Sequence, residues 1–194
     1  EDVAISLDIA ASEFGSNGRY KLSRDGVDMD SDAFGDVVLG WLKTYPIVAV
    51  EDPLAEDDLA GLARFTSRAG PHVQIIADDA AVTNAARIRA AAAAGACNAL
   101  LMKPNQIGTV TGARAAMEAA GDVGWDVVIS ARSGETEDVT IVHMAVGWGV
   151  AQLKVGSFAR SERMAKWNEG LRIADVAPCG AALPDPKGFV WSKP

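Results

Sequence analysis

Val127-Val128-Ile129-Ser130-Ala131-Arg132-Ser133-Gly134-Glu135-Thr136-Glu137-Asp138 is an apolar, β-branched run that breaks into an Arg-Ser-Gly turn and then into acidic residues. The apolar part predicts a strand over 127–129. The turn offers a guanidinium fork, a hydroxyl and unobstructed backbone N–H groups, the donors that a phosphate or carboxylate needs. The acids beyond it suit the positive end of a helix, which predicts one starting near Glu135. Taken alone, an Arg-Ser-Gly is more often an ordinary polar turn, so the ends of the other strands decide its meaning.

The same order of strand, polar cluster and helix recurs. Apolar segments stand at 3–7, 47–50, 73–76, 99–102, 127–129 and 150–153, and their alternation with helical patterns predicts an α/β fold of repeated βα units around a parallel sheet. Glu56-Asp57-Asp58 precedes an apolar stripe of Leu59, Leu62, Ala63 and Phe65, and Gly70-Pro71 ends that helix. Thr83-Asn84 is suited to cap an alanine-rich helix over 85–94, closed by Gly95. Further helices are expected from about Val110 to Ala120 and from a capping Ser161. Residues 15–36 are turn-rich and acidic, which reads as an exposed loop or small hairpin. The tail from Pro178, rich in Pro, Gly and Ala, reads as irregular.

With 194 residues, 49% of them hydrophobic, the chain can bury one sizeable core. Its net charge of −8 argues against nucleic-acid and anionic-membrane partners, which reward basic patches. No run of about 18 apolar residues could cross a membrane, and no signal segment opens the chain. Cys97 and Cys179 lack metal-ligand spacing and suit a reducing compartment, so a cytoplasmic location is expected. The first residue is Glu1 and a strand-like segment follows at once, which reads as a piece of a longer protein or a trimmed product.

Asp8, Glu51, Asp78, Lys103, Arg132 and Lys154 close the six segments. In a barrel of parallel strands all carboxyl ends open on one face, so these charges are expected to converge. Three carboxylates without His or Cys make a hard oxygen site suited to magnesium. Lys103 and Lys154 each follow an apolar run directly, which predicts desolvated ammonium groups with lowered pKa values.

Several runs then resemble the enolases. They are Asp8-Ile9-Ala10-Ala11-Ser12-Glu13-Phe14, Glu51-Asp52-Pro53, Glu56-Asp57-Asp58, Asp78-Asp79, Val82-Thr83-Asn84, Lys103 with Asn105-Gln106-Ile107-Gly108, Ser133-Gly134-Glu135-Thr136-Glu137-Asp138, and Arg160-Ser161-Glu162-Arg163. The resemblance covers about residues 1–175 in unbroken order. It implies a partial TIM-type (β/α) barrel of the enolase superfamily, about six of eight βα units, as one segment over 1–175 followed by an irregular tail over 176–194. It further implies Mg2+ held by Asp8, Glu51 and Asp78, with Asp78 also facing the substrate. Lys103 matches the base that takes the proton beside the substrate carboxylate, Lys154 the lysine that holds that carboxylate, and Arg132 with Ser133 the phosphate-binding pair. The implied reaction is the loss of water from 2-phosphoglycerate to give phosphoenolpyruvate in glycolysis.

Ala131 stands where the family motif has a histidine, so a related phosphonate substrate, or a noncatalytic or split-enzyme subunit keeping the magnesium site, are the alternatives. The resemblance also implies a small phosphorylated carboxylate as ligand. For partners it implies a homodimer, with Arg172 matching a contact position, or a segment that supplies an absent amino-terminal lobe and two strands.

Overall fold

A computed structural model describes residues 3–177 and 182–192. Strand β1 (Ile5–Asp8) is followed by a small antiparallel sheet of β2 (Gly15–Ser16), β3 (Arg19–Leu22) and β4 (Val27–Asp30), and by helix α1 (Ser31–Thr44). Strands and helices then alternate: β5 (Ile47–Glu51), α2 (Leu59–Ala69), β6 (Gln74–Ala77), α3 (Ala85–Ala93), β7 (Ala99–Met102), the short α4 (Pro104–Ile107), α5 (Val110–Asp122), β8 (Asp126–Ser130), α6 (Thr140–Gly147), β9 (Gln152–Lys154) and α7 (Ser161–Val176). Six strands make one sheet in the order β1-β5-β6-β7-β8-β9, every neighbouring pair parallel. The architecture is α/β, a partial TIM-type barrel.

The sheet curls into a half-barrel, strongly enough that Lys154 Nζ on one edge strand lies 3.0 Å from Asp8 Oδ2 on the other. Alternate residues face opposite ways along a strand. Val50, Ile75, Ala77, Leu100, Met102 and Ile129 belong to the main core with the helices, whereas Ala49, Ile76, Ala99, Leu101 and Val128 form a smaller cluster on the inner face. Burial on both sides explains why the strands read as continuous apolar runs rather than alternating ones.

Helix ends follow local chemistry. Asp58 caps α2 through Gly61 N at 2.9 Å, Asn84 caps α3 through Ala86 N and Arg87 N, and Gly70 ends α2 at φ 82°, a value that glycine tolerates best. Cys97 is buried as expected, and burial pushes its thiol pKa up.

Three expectations are corrected. Of the two forms expected for residues 15–36, the hairpin is the one found, extended to a three-stranded antiparallel sheet, but the segment then runs on into the start of α1, which was not expected. Asp30 caps α1 through Ala33 N at 2.8 Å, and Phe34 and Val38 bury one face, packing Phe34 against Phe14 and Tyr20. Helix α6 starts at Thr140, not near Glu135, because Glu135 is committed to the turn after β8 and Asp138 Oδ1 accepts from Thr140 N at 2.9 Å. Arg160, not Ser161, occupies the cap of α7, at φ 70° and without a side-chain cap bond. The described part of the tail carries short 3-10 turns at Pro186–Gly188 and Val190–Ser192 and a stacked Phe189–Trp191 pair at the rim of the inner cavity. Cys179 lies outside the described residues.

Candidate active site

The period of two along a strand places the site. Ser6, Ala49, Ile76, Leu101 and Gln152 all line the cavity on the inner face, and two residues further on stand Asp8, Glu51, Asp78, Lys103 and Lys154. Each of these five inner-facing positions is thus followed, at the carboxyl end, by a charged group, whereas Val128 on β8 is followed by the neutral Ser130. The cavity beneath has a volume of about 930 Å3 and is bounded above by Asp8, Glu51 and Lys154.

Within this ring the charges sort into two groups. Lys154 Nζ lies 2.6 Å from Glu51 Oε2 and 3.0 Å from Asp8 Oδ2. Lys103 Nζ pairs with Asp78 Oδ2. The other Asp78 oxygen accepts from Gln106 Nε2 at 2.8 Å, Gln106 Oε1 accepts from Thr83 Oγ1 at 2.6 Å, and Thr83 Oγ1 in turn accepts from Lys103 N at 2.9 Å. These bonds close a circuit that fixes both ends of the Lys103–Asp78 pair.

Asp52 braces the neighbouring strand end. Its two carboxylate oxygens accept from Asp78 N and Asp79 N, each at 2.9 Å. It sits at φ 42°, and Val82 and Thr83 at φ 40° and 54°; β-branched residues in the left-handed region are strained and persist where surroundings over-determine them. Carboxylate oxygens of Asp52, Asp78 and Asp79 all lie within 4.8 Å of one another.

Burial pushes Glu51 up to about 7, with Lys154 opposing and Asp8 and Asp78 adding to the rise. Burial likewise pushes Asp52 up to about 7 against the two backbone N–H bonds, and Asp79 is raised by burial and by Asp78. Lys154 corrects the expectation of a lowered pKa: burial lowers it, but the bonds to Glu51 and Asp8 outweigh that and hold it above the usual value. Five carboxylates thus face two ammonium groups. A divalent cation with a preference for oxygen fits this set, and the absence of His and Cys from it disfavours softer metals.

Arg132 is half-buried beyond β8 and Ser133 is exposed beside it. Arg132 N donates to Glu135 Oε1 at 2.8 Å, and Glu135 Oε2 lies 2.6 Å from Lys166 Nζ. Burial would raise Glu135, yet its bonds to Lys166 and to the Arg132 N–H hold it below the usual value. Ala131 is 8% exposed, its N–H bonded to Lys154 O at 2.9 Å, and it brings no titratable group to the ring.

The structure therefore brings Asp8, Glu51 and Lys154 together, Asp78 and Lys103 together, and keeps Arg132 and Ser133 on the adjacent turn. Asp52, Asp79, Thr83 and Gln106 are additional members. They fall within Glu51-Asp52-Pro53, Asp78-Asp79, Val82-Thr83-Asn84 and the run after Lys103, where the doubled acids were the available signal.

A parallel βα half-barrel whose strand ends gather carboxylates and lysines on one face is the arrangement on which TIM-barrel enzymes build their active sites. The family model described as "Enolase, C-terminal TIM barrel domain" matches residues 1–182. The chain belongs to the enolase family, and the matched part is its C-terminal barrel domain. Among the described residues, no helix is long and apolar enough to cross a membrane.

Proposed function

We propose that this chain carries an enolase-type site that removes water from 2-phosphoglycerate to give phosphoenolpyruvate, a step of glycolysis, in the cytoplasm. The observation that supports it most is the ring of Asp8, Glu51, Asp78, Lys103 and Lys154 at successive strand ends in a chain of this family.

A proton beside a carboxylate is very weakly acidic, and its removal leaves a dianionic enolate that needs concentrated positive charge. Asp8, Glu51 and Asp78 would hold Mg2+, with Asp52 and Asp79 adding negative charge behind them. When bound, Mg2+ supplies the positive charge that the developing enolate requires. Lys154 Nζ neutralises the substrate carboxylate, and Arg132 with Ser133 holds the phosphate. Lys103 Nζ takes the proton from C2. It can do so only as the neutral amine, so its ion pair with Asp78 has to loosen first. The C3 hydroxyl then leaves as water, protonated by an acid that the resemblance assigns to the amino-terminal lobe and first two barrel strands. A dimer through Arg172, which pairs with Glu169 at 2.8 Å on α7, is part of the same proposal.

Ala131 favours a second reading. With a methyl group at this strand end, a phosphonate analogue or a noncatalytic role is supported. The test follows the ultraviolet absorbance of the enol from 2-phosphoglycerate with and without Mg2+. Turnover that needs Mg2+ and disappears in Lys103→Ala supports the first reading. No turnover in the complete protein, even with Ala131→His, overturns it.

A further inference from the structure

We infer that Arg163, backed by Lys166, is a positioning residue that sets the spacing between the two anion-binding ends of this site. The inference rests on the reading that Arg132 with Ser133 and Lys154 hold opposite ends of one substrate. Arg163 and Lys166 are three positions apart on α7 and so share a face of the helix. That face lies under the loops that leave β8 and β9.

Arg163 joins the two loops directly. Its Nη1 donates to Val155 O at 2.9 Å, one residue beyond Lys154, and its Nη2 donates to Ser133 O at 3.0 Å, one residue beyond Arg132. A guanidinium is planar and rigid, so these two bonds fix one loop relative to the other. Lys166 secures the same turn further along, where Nζ donates to Thr136 O at 2.7 Å and pairs with Glu135 Oε2 at 2.6 Å. The other Glu135 oxygen holds the Arg132 N–H at 2.8 Å. Gly156, at φ 99°, lies against this assembly, and a Cβ there would come within 3.4 Å of Arg163 Nη1.

Neither cation is surface decoration: Arg163 is 5% exposed and Lys166 1%. Burying such groups is a poor route to stability alone, since apolar residues of similar volume serve as well or better. Arg163 Nε is moreover left without a hydrogen-bond partner. The bonds that Arg163 does make go to the two loops that carry the substrate groups. Arg163 therefore acts through Ser133 and Val155, with no contact of its own to the substrate.

A device that sets spacing matters most to a ligand that spans it. The test compares 2-phosphoglycerate, which has both a phosphate and a carboxylate, with inorganic phosphate, which engages one end. Binding is measured by calorimetry and 31P line broadening in the presence of Mg2+, on the full chain and on Arg163→Met and Arg163→Lys. Both variants should weaken 2-phosphoglycerate by about tenfold and phosphate by less than about threefold. Lysine keeps the charge but cannot span two carbonyls, so Arg163→Lys carries the test if circular dichroism shows Arg163→Met unfolded. Equal losses for the two ligands, or no loss in a folded variant, overturn the inference alone. If the unsubstituted chain does not bind 2-phosphoglycerate, or binds it unchanged after Arg132→Ala, the reading of the site fails and the inference falls with it.

Discussion

Replacing Lys166 with methionine keeps the length of the aliphatic stem and removes only the ammonium group. That group is enclosed, with Glu135 Oε2 at 2.6 Å, Thr136 O at 2.7 Å and Glu162 O at 3.0 Å around it. Removing one partner of a buried pair costs about 3–5 kcal/mol, because the remaining charge stays desolvated without compensation. Glu135 keeps the Arg132 N–H and some solvent access, so the lower end of that range, about 3 kcal/mol, is expected for Lys166→Met. For a domain of this size each kcal/mol moves Tm by about 2–4 °C, giving a fall of about 6–12 °C. Urea unfolding followed by far-ultraviolet circular dichroism measures the first figure and a thermal scan the second. Adding Glu135→Gln to Lys166→Met should recover part of the loss, since the stranded carboxylate is gone, with a coupling of about 2 kcal/mol. A cost below about 1 kcal/mol, or strict additivity of the two substitutions, would refute the picture of an enclosed pair holding the turn.

Further outcomes are expected from the same contacts. Glu135 is held below its usual pKa, so its contribution is complete above the ordinary glutamate value and is lost as pH falls through the depressed one; the Tm gap between the unsubstituted chain and Glu135→Gln should narrow as pH is lowered from neutrality to about 3. Thr83 is fully buried, and Thr83→Val keeps the shape but strands the partly buried Lys103 N and Gln106 Oε1, which should cost about 1–2 kcal/mol in urea unfolding and lower kcat more than it raises KM. A Cβ on Gly15 would run into the Tyr20 ring, so Gly15→Ala should destabilise by about 1–3 kcal/mol, and an unchanged Tm would show that the small sheet gives way freely. Burial pushes the Tyr20 phenol up to about 12, so the phenolate absorbance step near that pH should vanish in Tyr20→Phe.

The repeated units were legible because each strand is buried on both faces. Ala99–Met102 reads as a strand from four apolar residues in a row, and the charged residue that follows marks its exit. The strand-end charges were readable for the same reason, since equivalent points of a repeat share one face. Helix α1 was not readable, because Gly35, Gly40 and the acids at Asp30, Asp32 and Asp36 resemble a loop in composition, although Phe34 and Val38 already carried the helical spacing. The roles of Asp52, Thr83, Gln106 and Arg163 were hidden for a different reason. Asp52, Thr83 and Arg163 act through backbone groups, and Gln106 through side chains, 20 to 30 positions away, as in Lys103 N to Thr83 or Arg163 to Ser133 O, and no local pattern records which loop a side chain will meet. Glu135 shows the conflict plainly: its local preference is to open a helix, and a tertiary partner took it for the turn.

The bond from Lys154 to Asp8 joins residues 146 positions apart, between the first and last strands of the sheet. Contacts of such separation form late, after the intervening loops have been closed against chain entropy. The Asp8–Lys154 contact is consequently made only when the whole curl is complete, and fraying of either edge strand breaks it, while the Lys103–Asp78 circuit sits at the ends of the interior strands β6 and β7. A ligand that grips Asp8 and Lys154 together will select the fully curled chain over partly folded ones, which gives the small molecule a second use as a folding template during purification and storage.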